Sequence, residues 1–119
     1  MTTLAPEQTE PRLDEPYALT NAQIEQFQVD GFIKLKNVFS ADVLKEYGDE
    51  ITRLTLAHAP EKPLDQRDTY GKAFIQVGYL WQKSEKAKAF SFNKRVARIA
   101  AELMGVDGVR IHFDQALYE

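Results

Sequence analysis

The sequence predicts an α+β fold with helices packed on one side of a sheet. Three observations point there. Apolar residues recur three and four positions apart in stretches such as Val43, Leu44, Tyr47, Ile51 and Leu54, the period of a helix with one buried stripe. Shorter runs such as Ile33, Lys34, Leu35 and Lys36 alternate apolar with polar, the period of a half-buried strand. The two kinds of segment follow one another as helix, strand, helix, strand, helix, strand, with no internal repeat and no low-complexity stretch.

Taken in order, residues 1–19 carry Pro6, Pro11 and Pro16 among the acids Glu7, Glu10, Asp14 and Glu15. Too little apolar surface is present to offset the entropy of ordering, so this stretch is expected to be a flexible tail, and the folded part is expected over 20–119. Thr20 stands three residues before Gln23, the spacing of a capping box, and opens a helix bearing Ile24 and Phe27 that Asp30-Gly31 should end. The alternating run 32–37 reads as a first strand. Ser40 is a suitable cap for a second helix, whose stripe runs from Val43 to Leu54 with His58 near its end and Pro60 and Pro63 beyond it. Residues 59–72 read as a polar loop with Asp65, Arg67 and Asp68. A second strand is expected over 73–79, weakened by Gly78, and a short helix over 84–90. Asn93 caps a clearer helix with Val96, Ile99, Ala100, Leu103 and Met104 inward and Gly105 at its end. Residues 109–118 read as the best strand, with Val109, Ile111, Phe113 and Leu117 on one face and Arg110, His112, Asp114 and Ala116 on the other.

The 119 residues suit one small domain, since a typical domain runs to about 100–200. No apolar run is long enough for a membrane span, and the N-terminus is polar and acidic, unlike a signal peptide. Cysteine is absent, which excludes disulfides, thiolate metal sites and a cysteine nucleophile and fits a reducing cytoplasm. A formal net charge of -3 argues against general nucleic-acid binding, which needs clustered cations to neutralise phosphates. There is no glycine-rich phosphate loop and no Ser/His/Asp set.

Three segments carry a family resemblance. The first reads Asp30-Gly31-Phe32-Ile33-Lys34-Leu35-Lys36-Asn37-Val38-Phe39-Ser40 and leads into an amphipathic helix. The second reads Phe74-Ile75-Gln76-Val77-Gly78-Tyr79-Leu80-Trp81. The third runs from Arg98 through Gly105-Val106-Asp107-Gly108 to His112-Phe113-Asp114-Gln115-Ala116-Leu117. In this order and spacing they resemble the opening half of bacterial phytanoyl-CoA dioxygenase-like proteins, over about residues 20–118. The resemblance implies a double-stranded β-helix, a jelly-roll, cupin-like core, preceded by helices. It implies iron(II) and 2-oxoglutarate as cofactor and cosubstrate, and hydroxylation of an unactivated carbon of a small molecule. In that family a His-x-Asp triplet follows the strand that here reaches Tyr118, and a second histidine and a 2-oxoglutarate-binding arginine come later. Family members are far longer, and a lysine often follows the Ala-Leu-Tyr segment where Glu119 stands here. The chain is therefore expected to be the N-terminal portion of such an enzyme, without its iron ligands and inactive alone.

His112-Phe113-Asp114 is itself a His-x-Asp, and on a strand both side chains would share a face. Against it, the only other histidine, His58, lies upstream on a helix, and two protein ligands make a weak iron site. The reading favoured is that His112 and Asp114 are polar strand residues, with no metal bound by this chain. The resemblance places Gln115 on the wall of the 2-oxoglutarate pocket, where an amide could donate to a carboxylate; Gln76 shares that argument more weakly. Lys83, Lys86, Lys88, Lys94, Arg95 and Arg98 against Glu85 could attract an anionic small-molecule substrate or form an ordinary solvated helical face. Tyr79 and Trp81 read as core or edge aromatics. The rival to the enzyme reading is a non-catalytic α+β binding or oligomerisation module, and a third possibility is an enzyme completed by another chain.

Overall fold

The computed structural model describes residues 10–59 and 62–119. The expectations for residues 1–9 and for Pro60 as a helix stop lie outside the described residues. Six helices and two strands are described: α1 Pro11–Asp14, α2 Asn21–Asp30, α3 Ala41–Ala57, α4 Thr69–Ala73, β1 Ile75–Gly78, α5 Glu85–Ser91, α6 Lys94–Met104 and β2 Gln115–Tyr118. The chain is thus mixed helix and strand. It divides into two compact units, one of the described residues through Ser40 with Asn93–Val109, the other of Ala41–Phe92 with Arg110–Glu119.

In the first unit, α1 replaces the expected flexible tail from Glu10 onward. Pro11 presets the first helical φ, and the Glu10 carboxylate accepts from the Arg12 amide. Leu13 is completely buried, and α1 packs on α6. Burying one leucine is worth about 1.5–3 kcal/mol, and composition alone does not reveal it. Helix α2 forms as its sequence predicts: Thr20 and Gln23 make a reciprocal capping box, and Gly31 closes the helix at φ 79°. Helix α6 is capped by the Asn93 side chain on the Val96 amide and ends at Gly105. Ile99 and Leu103 are its buried residues. Gln28 of α2 donates to the Leu103 carbonyl at 2.5 Å, tying α2 to the end of α6.

The strand expected over 32–37 does not form. Its alternation is real, with Ile33 and Leu35 half-buried and Lys34 and Lys36 exposed, but no neighbouring strand takes up its backbone groups. Asn37 then turns the chain at φ 58°.

In the second unit, α3 buries Val43, Tyr47 and Leu54, while Leu44 stays half exposed, so its stripe is narrower than the apolar spacing implies. Thr55 is buried too, its hydroxyl donating to the Ile51 carbonyl at 2.7 Å. The expected polar loop contains a short 3-10 turn, Leu64–Gln66, and α4, capped by Asp68 on the Gly71 amide. Helix α5 begins at a Ser84 cap on the Ala87 amide.

The sheet has two antiparallel strands in the register Ile75↔Tyr118, Gln76↔Leu117, Val77↔Ala116 and Gly78↔Gln115. Its inner face carries Val77 and Ala116, which join Leu54, Leu80 and Ala87 in one core cluster, with Ile51, Ile75 and Tyr118 packed against it. Helices α3 and α5 therefore lie on one side of this sheet. The last strand is shorter than expected, and its face is inverted: Val109, Ile111, Phe113 and Leu117 are exposed, and Ala116 is buried. Apolarity favours the first set. Packing selects the second, placing Ala116 beside Ala87 and Leu54, and a one-residue slip exchanges the faces of a whole strand.

Candidate functional site

Of the residues singled out by sequence, Asp114, Gln115, Tyr79 and Trp81 meet at the corner where β1 ends and β2 begins. Gly78 is opposite Gln115, and a Cβ on Gly78 would lie 2.9 Å from the Phe113 ring, so the glycine makes room for that ring. Tyr79 next takes the left-handed conformation, φ 56° and ψ 43°, which ends the ladder after four residues. A bulky residue there is strained by about 1–3 kcal/mol, and the surroundings must hold it. They do so with the Tyr79 amide donating to the Asp114 carbonyl at 3.1 Å, an edge-to-face contact between Tyr79 and Phe113, and Lys83 Nζ donating to the Gly78 carbonyl at 3.1 Å.

Asp114 is the hub of this corner. Its Oδ2 accepts from the Trp81 amide at 3.0 Å and from the Ser91 hydroxyl at 2.8 Å. One carboxylate oxygen thus joins the start of β2 to the turn after β1 and to the end of α5. Oδ1 is buried and accepts from none of the described side chains or amides. Beside this hub, Trp81 stacks obliquely on Phe92, and Lys88 sits over both rings at 5.9 and 5.8 Å.

Gln115 lies on the opposite, outer face and is exposed. Its Oε1 accepts from Gln76 Nε2, and Gln76 Oε1 accepts from the Tyr70 hydroxyl at 3.0 Å. The two glutamines are diagonal rather than directly opposed. The result is a Tyr70–Gln76–Gln115 chain across the outer face, with the Gln115 amide N–H groups left for a carboxylate or water. Sequence reading paired Gln115 with Phe113 and an apolar face; the face is open and mixed, with Leu117 beside the glutamines.

His112 and His58 are both exposed. Among the described residues no three or more His, Asp and Glu side chains gather closely enough to hold a metal ion. Asp114 Oδ2 already accepts two hydrogen bonds and Oδ1 is buried, while both histidines are exposed, so these residues do not fit an iron centre. The basic run divides between the units. In the second, Lys86 pairs with Glu46 at 3.3 Å and lies over Tyr47. In the first, Arg98 pairs with Glu102 at 3.0 Å. Most of these cations are engaged within the chain instead of forming one free anion-binding face.

No protein-family model, curated protein or solved structure matches this chain.

The first unit holds a separate apolar groove of about 410 Å³, lined by Phe27, Ile33, Leu35, Ile99, Leu103 and Met104 among others. Several residues of these two sites were missed in the sequence. Ser91 and Tyr70 act only through partners 23 and 6 positions away, which no local pattern signals. No described helix is long and apolar enough to cross a membrane.

Proposed function

We propose that this chain is the N-terminal portion of a non-haem iron(II)- and 2-oxoglutarate-dependent dioxygenase of the phytanoyl-CoA dioxygenase family, acting on a small-molecule carbon. In this reading β1 and β2 are early strands of a jelly-roll core, α3 and α5 buttress them, and the iron ligands come from sequence beyond Glu119. The supporting observation is the outer face of the β1–β2 pair. Two strands alone are marginal, and this face leaves Leu117 47% exposed beside an ordered glutamine pair. Such a face suits one wall of a larger pocket. Iron with 2-oxoglutarate would supply the oxygen chemistry. The described residues do not fit that centre, so their part is to hold the corner through Asp114 and to present Gln115.

Reading the coding sequence past codon 119 and assaying its product tests this. The expected result is an open frame with an early His-x-Asp, a later histidine, and succinate formed from 2-oxoglutarate. A stop codon directly after codon 119, with a stable monodisperse 119-residue protein, would overturn it. The remaining reading would be a non-catalytic α+β binding module, which the open apolar groove of the first unit favours.

A further inference from the structure

We propose that residues 10–17 form a strap that sets the opening of the apolar groove in the first unit, with Arg95 as its latch. One wall of that groove, at Phe32, Ile33 and Leu35, belongs to a stretch, residues 32–40, that forms neither helix nor strand. That wall lacks the backbone ladder that would fix it, so what holds it is a set of side-chain bonds at its C-terminal end. The Tyr17 hydroxyl donates to the Lys36 carbonyl at 2.8 Å. Arg95 donates through one NH to the Val38 carbonyl at 2.6 Å and lies over the Phe39 ring at 5.3 Å.

The same guanidinium reaches the strap. Its Nε donates to the Glu15 carbonyl at 2.6 Å and its second NH2 to the Pro11 carbonyl at 3.3 Å. Asp14 adds a bond from the strap to the first turn of α6, its Oδ1 accepting from the Lys94 amide at 3.0 Å, and Leu13 seals the contact. The planar guanidinium, with donors fixed in a fork, serves three carbonyls from two segments at once. The strap and the groove wall therefore share one latch, and loss of this one side chain removes donors from both. Opposite them, α6 is fixed by its own caps and by Gln28, so the wall at 32–35 is the side that moves.

Hydrogen exchange read by mass spectrometry on the full chain tests the coupling. In Arg95→Gln, amides of 10–17 and of 32–39 are expected to exchange faster together, by roughly tenfold, as charge-assisted bonds are lost. Amides of α2 and of residues 99–104 should keep their protection. Faster exchange in 10–17 alone would overturn the proposal. If the whole unit loosens, Tyr17→Phe decides, because it removes only the bond to Lys36. A few-fold rise at 32–39 would then support the strap, and no rise there would overturn it.

Discussion

Asp114 and Gln115 are neighbours in sequence with opposite physical roles. The Asp114 side chain faces inward and satisfies an amide and a hydroxyl from two other elements. The Gln115 side chain faces outward in an exposed chain of amides. Removing a buried acceptor strands its donors, at about 1–3 kcal/mol, whereas trimming an exposed polar side chain usually stays within about 0.5 kcal/mol. Asp114→Ala should therefore lower thermal stability by several degrees, and Gln115→Ala and Gln76→Ala should leave the melting temperature nearly unchanged. Equal losses in all three would mean that the outer amide chain, too, is structural. At this scale the sequence was partly legible. Alternation correctly put Asp114 and Gln115 on opposite faces, but which face was buried depended on Ala87 and Leu54, far away in sequence.

At the scale of elements, caps were legible and pairings were not. A cap is a bond between residues three apart, so Thr20 with Gln23, Ser84 with Ala87 and Asn93 with Val96 can all be read from the chain. Thr20→Ala should cost about 0.5–2 kcal/mol, measurable by urea unfolding. A strand exists only with a partner, which is why the well-patterned run 32–37 forms none and the run at 109–118 shrinks to β2. Helices α3 and α5 add a test by pH. Glu50 of α3 accepts from Arg53 at 2.6 Å, and that bond, with the polar influence of Ser84, the cap of α5, holds its carboxyl below the ordinary value of 4.5. A lowered carboxyl contributes stability in full above the unfolded value and loses it as pH falls through the folded one. Wild type should thus lose stability more steeply than Glu50→Gln as pH drops below about 4.5, seen as converging melting temperatures. Parallel curves would show that the α3–α5 link does not titrate.

For the whole molecule, the division into units is discontinuous in sequence: the first unit needs both the N-terminal segment and Asn93–Val109, so no single cut isolates it. The sequence reads 20–119 as the N-terminal part of one domain, and no linker-like composition marks residues 40, 92 or 109. The same long-range dependence governs metal binding. An iron site of this chemistry requires two histidines and a carboxylate around one point with open positions for cosubstrate and oxygen. The described chain offers an exposed His112, an exposed His58, and an Asp114 carboxylate whose Oδ2 is already engaged by Trp81 and Ser91. The other oxygen, Oδ1, is buried, so a metal reaching Asp114 would have to open the corner beside the left-handed Tyr79. Anaerobic titration of the 119-residue chain with iron(II) and 2-oxoglutarate should therefore give no saturable visible charge-transfer band. A saturable band that disappears in His112→Ala would place the ligands inside this chain and would require the corner to open on binding.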